Sequence, residues 1–284
     1  MTTQMIRNFL NIIRRNKFES LGLLLVLIFL IMALFGPLFA PYSPTALNLS
    51  EQFQPPSLRH WFGTDANGRD IVSRTIVGAR LSLTIAFWVI SVATVIGGSL
   101  GIMAGFWGGL VDESVMRLAD VFLAFPSLIL AMAIAAALGT GLTAVCIGLA
   151  ATWWPGYARL LRSRVLVLRQ EPFVESARAI GCSAWRIILR HIIPNALSPL
   201  IVQITLDVGY VILAAAGLGF IGLGVQPPTP EWGVMIAAGR EYILSKWWIS
   251  TFPGVALFAT VLGFNLLGDL LRNELDPLTR RRAC

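Results

Sequence analysis

Charge is what this sequence has least of. Only 13% of its 284 residues are Asp, Glu, Lys or Arg, about half the roughly 25% of an ordinary soluble domain. A water-facing surface around a single domain of this size needs more than that. Disorder is excluded as well, because disordered chains are poor in apolar residues and 56% of this one is apolar. Lysine is nearly missing: Lys17 and Lys246 are the only two, and neither follows a glycine. A GxxxxGKS/T phosphate loop is therefore absent, and with it ATP binding in the P-loop manner. Histidine is as scarce, with His60 and His191 in separate loops and no HExxH pair. A zinc site or a Ser-His-Asp triad contained in this chain is not supported. Cys146, Cys182 and Cys284 form neither a CxxC pair nor an even disulfide framework. These shortages argue against a self-contained enzyme: no catalytic, metal-binding or cofactor-binding residue can be nominated.

Long charge-free runs are what the sequence has instead, at 20–50, 81–111, 121–158, 192–206, 208–230 and 247–268. A helix needs about 20 apolar residues to cross a bilayer, whereas a transmembrane barrel would show alternating segments of about ten. The run 121–158 carries Gly139-Thr140-Gly141 near its middle and reads as two helices with a tight turn. Only Asp207 interrupts 192–230, so one long span is the simplest reading there. The expectation is an all-α integral membrane protein with six transmembrane helices, near 21–40, 81–107, 114–138, 142–161, 197–223 and 251–272. The apolar run after the basic N-terminus is longer than the 7–15 residues of a signal h-region, so it reads as an uncleaved first span.

The charge of +7 is a topology signal rather than a nucleic-acid one. With the N-terminus inside, the inner segments hold Arg7, Arg14, Arg15, Lys17, Arg117, the seven arginines from Arg159 to Arg190, and Arg272, Arg280, Arg281 and Arg282. The outer segments hold only Arg59, Arg69, Arg74, Arg80, Arg240 and Lys246. The positive-inside rule then places both termini in the cytoplasm, and the inner charge suits an anionic leaflet. The expected organisation is a cytoplasmic tail at 1–20, a six-helix domain at 21–272 and a second cytoplasmic tail at 273–284. Within the domain lie an outer segment at 41–80, an inner loop at 162–195 and an outer loop at 226–250.

That inner loop, EPFVESARAIGCSAWRIILRHIIPN from Glu171 to Asn195, has its own pattern. Pro172 suits a first helical position, and Phe173, Ala177 and Ile180 fall on one apolar stripe. Gly181 stands where a helix ends in a left-handed conformation. Ser183 can cap a second helix with Trp185, Ile188, Leu189 and Ile192 on one face, and Pro194 closes the unit. Two roles are open to such a pair of short helices: lying on lipid headgroups, or docking as a knob in the groove of a cytoplasmic partner.

Glu175, Ala177, Gly181 and Pro194 resemble the "EAA" loop of permease subunits of binding-protein-dependent ABC importers. Further segments resemble the dipeptide/oligopeptide/nickel family in particular. They are WFGTDANGRDIVSRTIVGARLSL (Trp61–Leu83), FWGGLVDESVMRLADVFLAFPSL (Phe106–Leu128), LGFIGLGVQPPTPEWGVM (Leu218–Met235), FPG (Phe252–Gly254) and NLLGDLLRNELDP (Asn265–Pro277). The chain is most similar to the second, C-type permease of these systems. Ser176, Cys182 and Asn273 are its mild departures from the usual pattern.

The resemblance implies a type I importer permease (MetI-like) fold. It implies a bacterial inner-membrane subunit that passes peptides or similar solutes delivered by an extracytoplasmic binding protein. The implied partners are a B-type permease and two ABC ATPase subunits, which hold the ATP and magnesium. Glu175, Ala177, Gly181, Trp185 and Pro194 would form the coupling to the ATPase. A channel or secondary transporter working without ATPases is the competing reading, and it would call for an inverted repeat or several intramembrane charges.

Asp207 is the only charge well inside a span, where a charge is costly and rarely faces lipid. It either lines the translocation path or makes a structural hydrogen bond to a neighbouring helix. Arg117 and Asp120, three residues apart, have the spacing of a helical ion pair. Arg59, Asp65, Arg69, Asp70 and Arg74 are candidates for docking the binding protein, and their segment can equally be an ordered lid. Trp153, Trp154, Trp232, Trp247 and Trp248 read as interfacial anchors, and the glycines at 217, 219, 222 and 224 as points of close helix approach.

Overall fold

Glycine and proline divide the apolar runs into helices, and a computed structural model shows what each break does. The structure describes residues 17–275, so most of both expected tails lies outside the described residues. Helix α1 spans Lys17–Phe39. Helix α2, Ile71–Trp107, begins at Asp70, whose side chain accepts from the Ser73 N–H, and ends at Gly108 with φ 68°. It starts ten residues earlier than expected, because Arg74 and Arg80 are carried within the helix rather than in the loop before it.

Helices α3 (Gly109–Leu123) and α4 (Ser127–Leu138) replace the expected continuous span 114–138. They are bent by 87° at Pro126, which lacks the N–H a continuing helix needs. Helix α5 covers Leu142–Leu168 and α6 covers Pro172–Ala179. Helix α7 runs without interruption over Ala184–Ile221, with a π-helical stretch at Ile188–Ile192. Pro194 therefore does not close the inner loop unit: it lies inside α7, just after the widened π turn. Helix α8 is Trp232–Gly239 and α9 is Trp248–Leu275.

Four of these helices (α1, α2, α7 and α9) are long and apolar enough to cross a membrane, and the bent pair makes a fifth. Helix α5, 27 residues long, is diluted by the run Trp153-Trp154-Pro155-Gly156-Tyr157 and by its arginines and falls short of that measure, so four or five of the six expected spans are found. No strand forms among the described residues; a single isolated bridge joins Thr64 to Asp70.

Close packing of α2 on α5 holds the centre. A Cβ on Gly101 would lie 2.9 Å from Ala158 Cα, one on Gly105 would lie 2.8 Å from Val165 Cβ, and Gly97 faces Trp154 and Tyr157 in the same way. This Gly-x-x-x-Gly-x-x-x-Gly stripe lets two backbones approach where lipid offers no hydrophobic driving force. Of the four glycines expected to do so, Gly217 and Gly222 face open space, while Gly219 and Gly224 pack locally against each other and Glu231. Two apolar cores result. The larger contains Val89, Leu149, Trp154, Tyr157, Leu218 and Trp232. The smaller contains Val165, Val174, Ala177, Ile187, Ile188 and Ile192, with Ile102 and Phe106 packed on it. The two ends of the bundle differ: residues 40–70 and 222–247 build a cap at one end, and α6 with the start of α7 forms a knob at the other.

Candidate functional site

At the knob, Glu171 precedes Pro172, whose fixed φ and missing N–H suit the first helical position of α6. Gly181 ends α6 at φ 79°, and the Cys182 N–H bonds back to the Ala177 carbonyl at 3.0 Å, with Gly181 N–H to Arg178 at 2.9 Å. That pattern ties off the orphan carbonyls and turns the chain sharply into α7. Of the expected apolar stripes, Ala177, Ile188 and Ile192 are buried and Phe173, Ile180, Trp185 and Leu189 are not. Val174 and Ala177 are buried in the smaller core, together with Ile187, Ile188 and Ile192. Phe173, Ile180, Trp185 and Leu189 are exposed, as is Glu175. The knob thus has an inward apolar face that grips α2 and α5, while several large apolar side chains and the Glu175 carboxylate are left exposed on it.

The grip is specific. Trp185 packs edge-on against Trp107 with centroids 5.5 Å apart, and the Arg178 guanidinium sits 5.6 Å over the Phe106 ring. Arg169 donates to the Gly105 carbonyl at 3.1 Å. Nearby, Arg162 of α5 binds Asp112 of α3 through both carboxylate oxygens, and Arg159 binds Asp120. The pair expected between Arg117 and Asp120 does not form: Arg117 takes Glu113, one turn away, because Asp120 faces α5. Gly181, Glu175 and Trp185 are each exposed at the knob, while Ala177 points inward and Pro194 lies within α7.

At the cap, the charges expected to face a partner are mostly turned inward. Asp65 accepts from the N–H groups of Asn67 (2.8 Å) and Arg69 (3.0 Å) and from Arg69 Nε at 2.7 Å, with Arg74 Nε at 3.7 Å. Arg74 donates to the carbonyls of Pro44 (2.7 Å) and Pro228 (3.1 Å). Asp70 takes His60 Nδ1 at 2.9 Å while it caps α2 through Ser73. Asp65, Arg69, Asp70 and Arg74 are all buried, so a docking role for these four is corrected to a structural one. A charge-rich segment became an internal lattice because each charge found a partner within it. Arg59, paired to Glu51, alone remains exposed.

Trp232 and Trp248 are likewise buried rather than interfacial. Their Nε1 atoms donate to the carbonyls of Thr75 (3.0 Å) and Thr64 (3.2 Å), tying α8 to α2 and α9 to the cap. Glu231 was not anticipated: it caps α8 by accepting from Gly233 and Val234 N–H at 3.0 and 2.9 Å. Burial pushes its carboxyl above the ordinary value, and those two bonds only partly offset it. An acidic residue just before an apolar helix was the available signal.

Asp207 is buried at the contact of α7 with α5, where Gln203 donates to it at 3.0 Å and Trp153 and Tyr157 face it. Tyr210 and Leu213 are the exposed residues nearby on α7. The single Gly-x-Ser-x-Gly in the sequence, Gly97 to Gly101, lies within α2 and packs on α5. It is not the strand-to-helix turn that presents a nucleophile. No group of His, Cys, Asp and Glu able to hold a metal ion occurs among the described residues.

A helical membrane bundle with a helix–glycine–helix knob at one end defines a transporter permease subunit. Residues 97–281 match the family of binding-protein-dependent transport system inner membrane components, and residues 4–56 match the N-terminal transmembrane domain of oligopeptide transport permease C. The chain belongs to the former family, the permease components of ABC importers. It is 47% identical to the probable D,D-dipeptide transport system permease DdpC of Escherichia coli K12, covering 89% of this chain and 85% of that one. It is 46% identical to the dipeptide transport system permease DppC of Alkalihalophilus pseudofirmus (93% and 87% covered). Identity to the glutathione transport system permease GsiD of E. coli O6:K15:H31 is 43% (93% and 88%). Among solved structures, the inward-facing MetNI methionine ABC transporter matches in fold, with a TM-score of 0.56 at 20% identity, over 72% of this chain and 96% of that one.

Proposed function

We propose that this chain is the C-type permease of a peptide importer of the bacterial inner membrane, with both termini in the cytoplasm. The knob is its coupling element, and it engages one of two ABC ATPase subunits that carry the ATP and magnesium. A B-type permease completes the pore and an extracytoplasmic binding protein delivers the solute. The observation that carries this reading is the knob itself: an apolar inner face packed on α2 and α5, with Phe173, Ile180, Trp185 and Leu189 left exposed and Glu175 exposed on another side of α6. Exposed aromatic and aliphatic anchors of this kind are what a helix-in-groove contact uses. The names of the relatives, dipeptide and glutathione permeases, support a peptide-like solute. In this arrangement the cap end faces outward and nucleotide-driven closure of the ATPases moves the knob. The knob in turn moves α2 and α5 as a rigid body.

Co-purification tests it. The tagged chain, extracted gently from its own membrane, is expected to bring down two P-loop ATPases and a second permease. Recovery of the chain alone as a stable homo-oligomer would refute the reading and restore the channel alternative.

A further inference from the structure

The cap end carries one sizeable cavity that the reading above does not use. It measures about 470 Å³ and opens to one side. Its walls are the end of α7, the loop 222–227, α8 and the short turn at Arg240–Tyr242. Phe220 and Tyr242 form aromatic walls, and Gln226 braces the loop by donating to the carbonyls of Gly222 and Gly224. At its rim stand Arg240 and Glu241, side by side in sequence and both exposed.

These two charges, like Lys246, which rests over the Phe53 and Trp248 rings, differ from most charges of the cap. Glu51, Arg59, Asp65, Arg69, Asp70, Arg74 and Glu231 all have ionic or hydrogen-bonding partners within the cap. Arg240 and Glu241 form no ion pair, with each other or with any described residue, and their side chains make no hydrogen bond. The Arg240 guanidinium instead rests 5.7 Å over the Phe220 ring, which holds the head near the cavity without neutralising it. Beyond the cavity, Tyr210, Leu213 and Phe220 are exposed at helical spacing along α7. A solute leaving the groove would meet that stripe next.

We propose that this groove is a solute-recognition site of the permease itself. Arg240 takes the terminal carboxylate of a short zwitterionic peptide, and Glu241 takes its terminal ammonium. The proposal rests on the peptide-importer reading and adds a selectivity step after delivery by the binding protein. The cavity is within the range that holds small ligands. A guanidinium presents the fork geometry that carboxylates accept. One cation and one anion at a single rim match a zwitterion, where an anionic or cationic solute would meet repulsion from one of them.

The test is uptake by the complete importer in proteoliposomes, with its binding protein, using dialanine, dialanine C-terminal amide and N-acetyl-dialanine as probes. Arg240→Gln is expected to raise KM for dialanine roughly tenfold and to leave KM for the amide within about twofold, since the amide has already lost the contact. Glu241→Gln is expected to mirror this, with the N-acetyl compound as the insensitive probe. Arg240→Lys, which keeps the charge, should restore most of the dialanine uptake. Each comparison uses the same binding protein and the same probe, so the binding protein's own preference cancels. A change of equal size for all three probes would assign these residues to subunit docking and overturn the proposal. Unchanged KM values would overturn it too, while leaving the importer reading intact. No dialanine uptake by the wild-type complex would remove the peptide reading and this site together.

Discussion

Asp65→Asn is the sharpest perturbation of the cap. The carboxylate is buried and holds two buried guanidiniums, with Arg69 Nε at 2.7 Å and Arg74 Nε at 3.7 Å. An asparagine keeps one acceptor for the backbone N–H groups of Asn67 and Arg69. Its amide nitrogen, however, then points donors at the donors of Arg69. Two positive charges are left without their anion where water cannot replace it. Removing one member of a buried ion pair costs about 3–5 kcal/mol. For a chain of this length each kcal/mol moves the melting temperature by about 2–4 °C, so a fall of about 6–20 °C in detergent is expected. Tryptophan fluorescence reads it directly, because Trp248 is tied to the Thr64 carbonyl and should redden as the cap loosens. The double variant Asp65→Asn with Arg69→Leu should recover part of the loss, since one stranded charge is then gone. A melting temperature within about 2 °C of wild type would refute the lattice argument and return Asp65 to the surface.

Four further outcomes follow from the same geometry. Gly101→Leu should separate α2 from α5 and abolish stable assembly, as judged by gel filtration, because even a Cβ at this position meets Ala158 Cα at 2.9 Å. Trp232→Phe should cost about 1 kcal/mol for the lost bond to Thr75, with additional loss for the smaller ring, read as a lower melting temperature. Gly181→Ala has space but a φ of 79°, so it should cost about 1–2 kcal/mol locally and lower transport, while Gly181→Asn retains more of it. Glu231 has a raised folded value, so its contribution to stability is full below its ordinary value of 4.5 and is lost as pH rises through the higher folded one. Glu231→Gln should flatten that part of the melting profile.

The helices were legible because hydropathy alone marks them, and the limits of that signal explain the errors. Charge boundaries placed the start of the second span after Arg80, yet a buried arginine with carbonyl partners, as Arg74 is, can lie within a helix. A charge-free run conceals a bend, so 114–138 looked continuous until Pro126 turned it. The knob was legible from Pro172, Gly181 and the family resemblance. Its inward face was legible in part, through Ala177, Ile188 and Ile192, but in a segment this apolar only packing on Ile102 and Phe106 selects Val174 and Ile187 over Phe173 and Trp185. The motif from Gly63 to Asp70 was visible as a signature, but its burial was not. A dense cluster of opposite charges looks the same whether it meets solvent or itself. Gly68 was the residue that could have told them apart, since at φ 69° its missing Cβ lets Asn48 close over the turn.

Seen along its length, α2 connects the two ends of the molecule. Its start is capped by Asp70, which is fixed by His60, and the Trp232 indole holds the next turn through the Thr75 carbonyl. Its last turns, at Ile102, Phe106 and Trp107, are gripped by the knob. Between them, Gly97, Gly101 and Gly105 lock it to α5, so α2 and α5 cannot slide independently without opening a backbone-to-backbone contact. Packed interiors of this density transmit displacement rather than absorb it. The irregular parts are elsewhere: the bend between α3 and α4, and the π stretch at Ile188–Ile192 where the knob joins α7. On the coupling reading proposed above, a push on the knob divides at Gly181. One branch goes through α6 into the rigid α2–α5 pair and reaches the cap. The other goes through the π stretch into α7, whose far end forms the wall of the groove at Arg240.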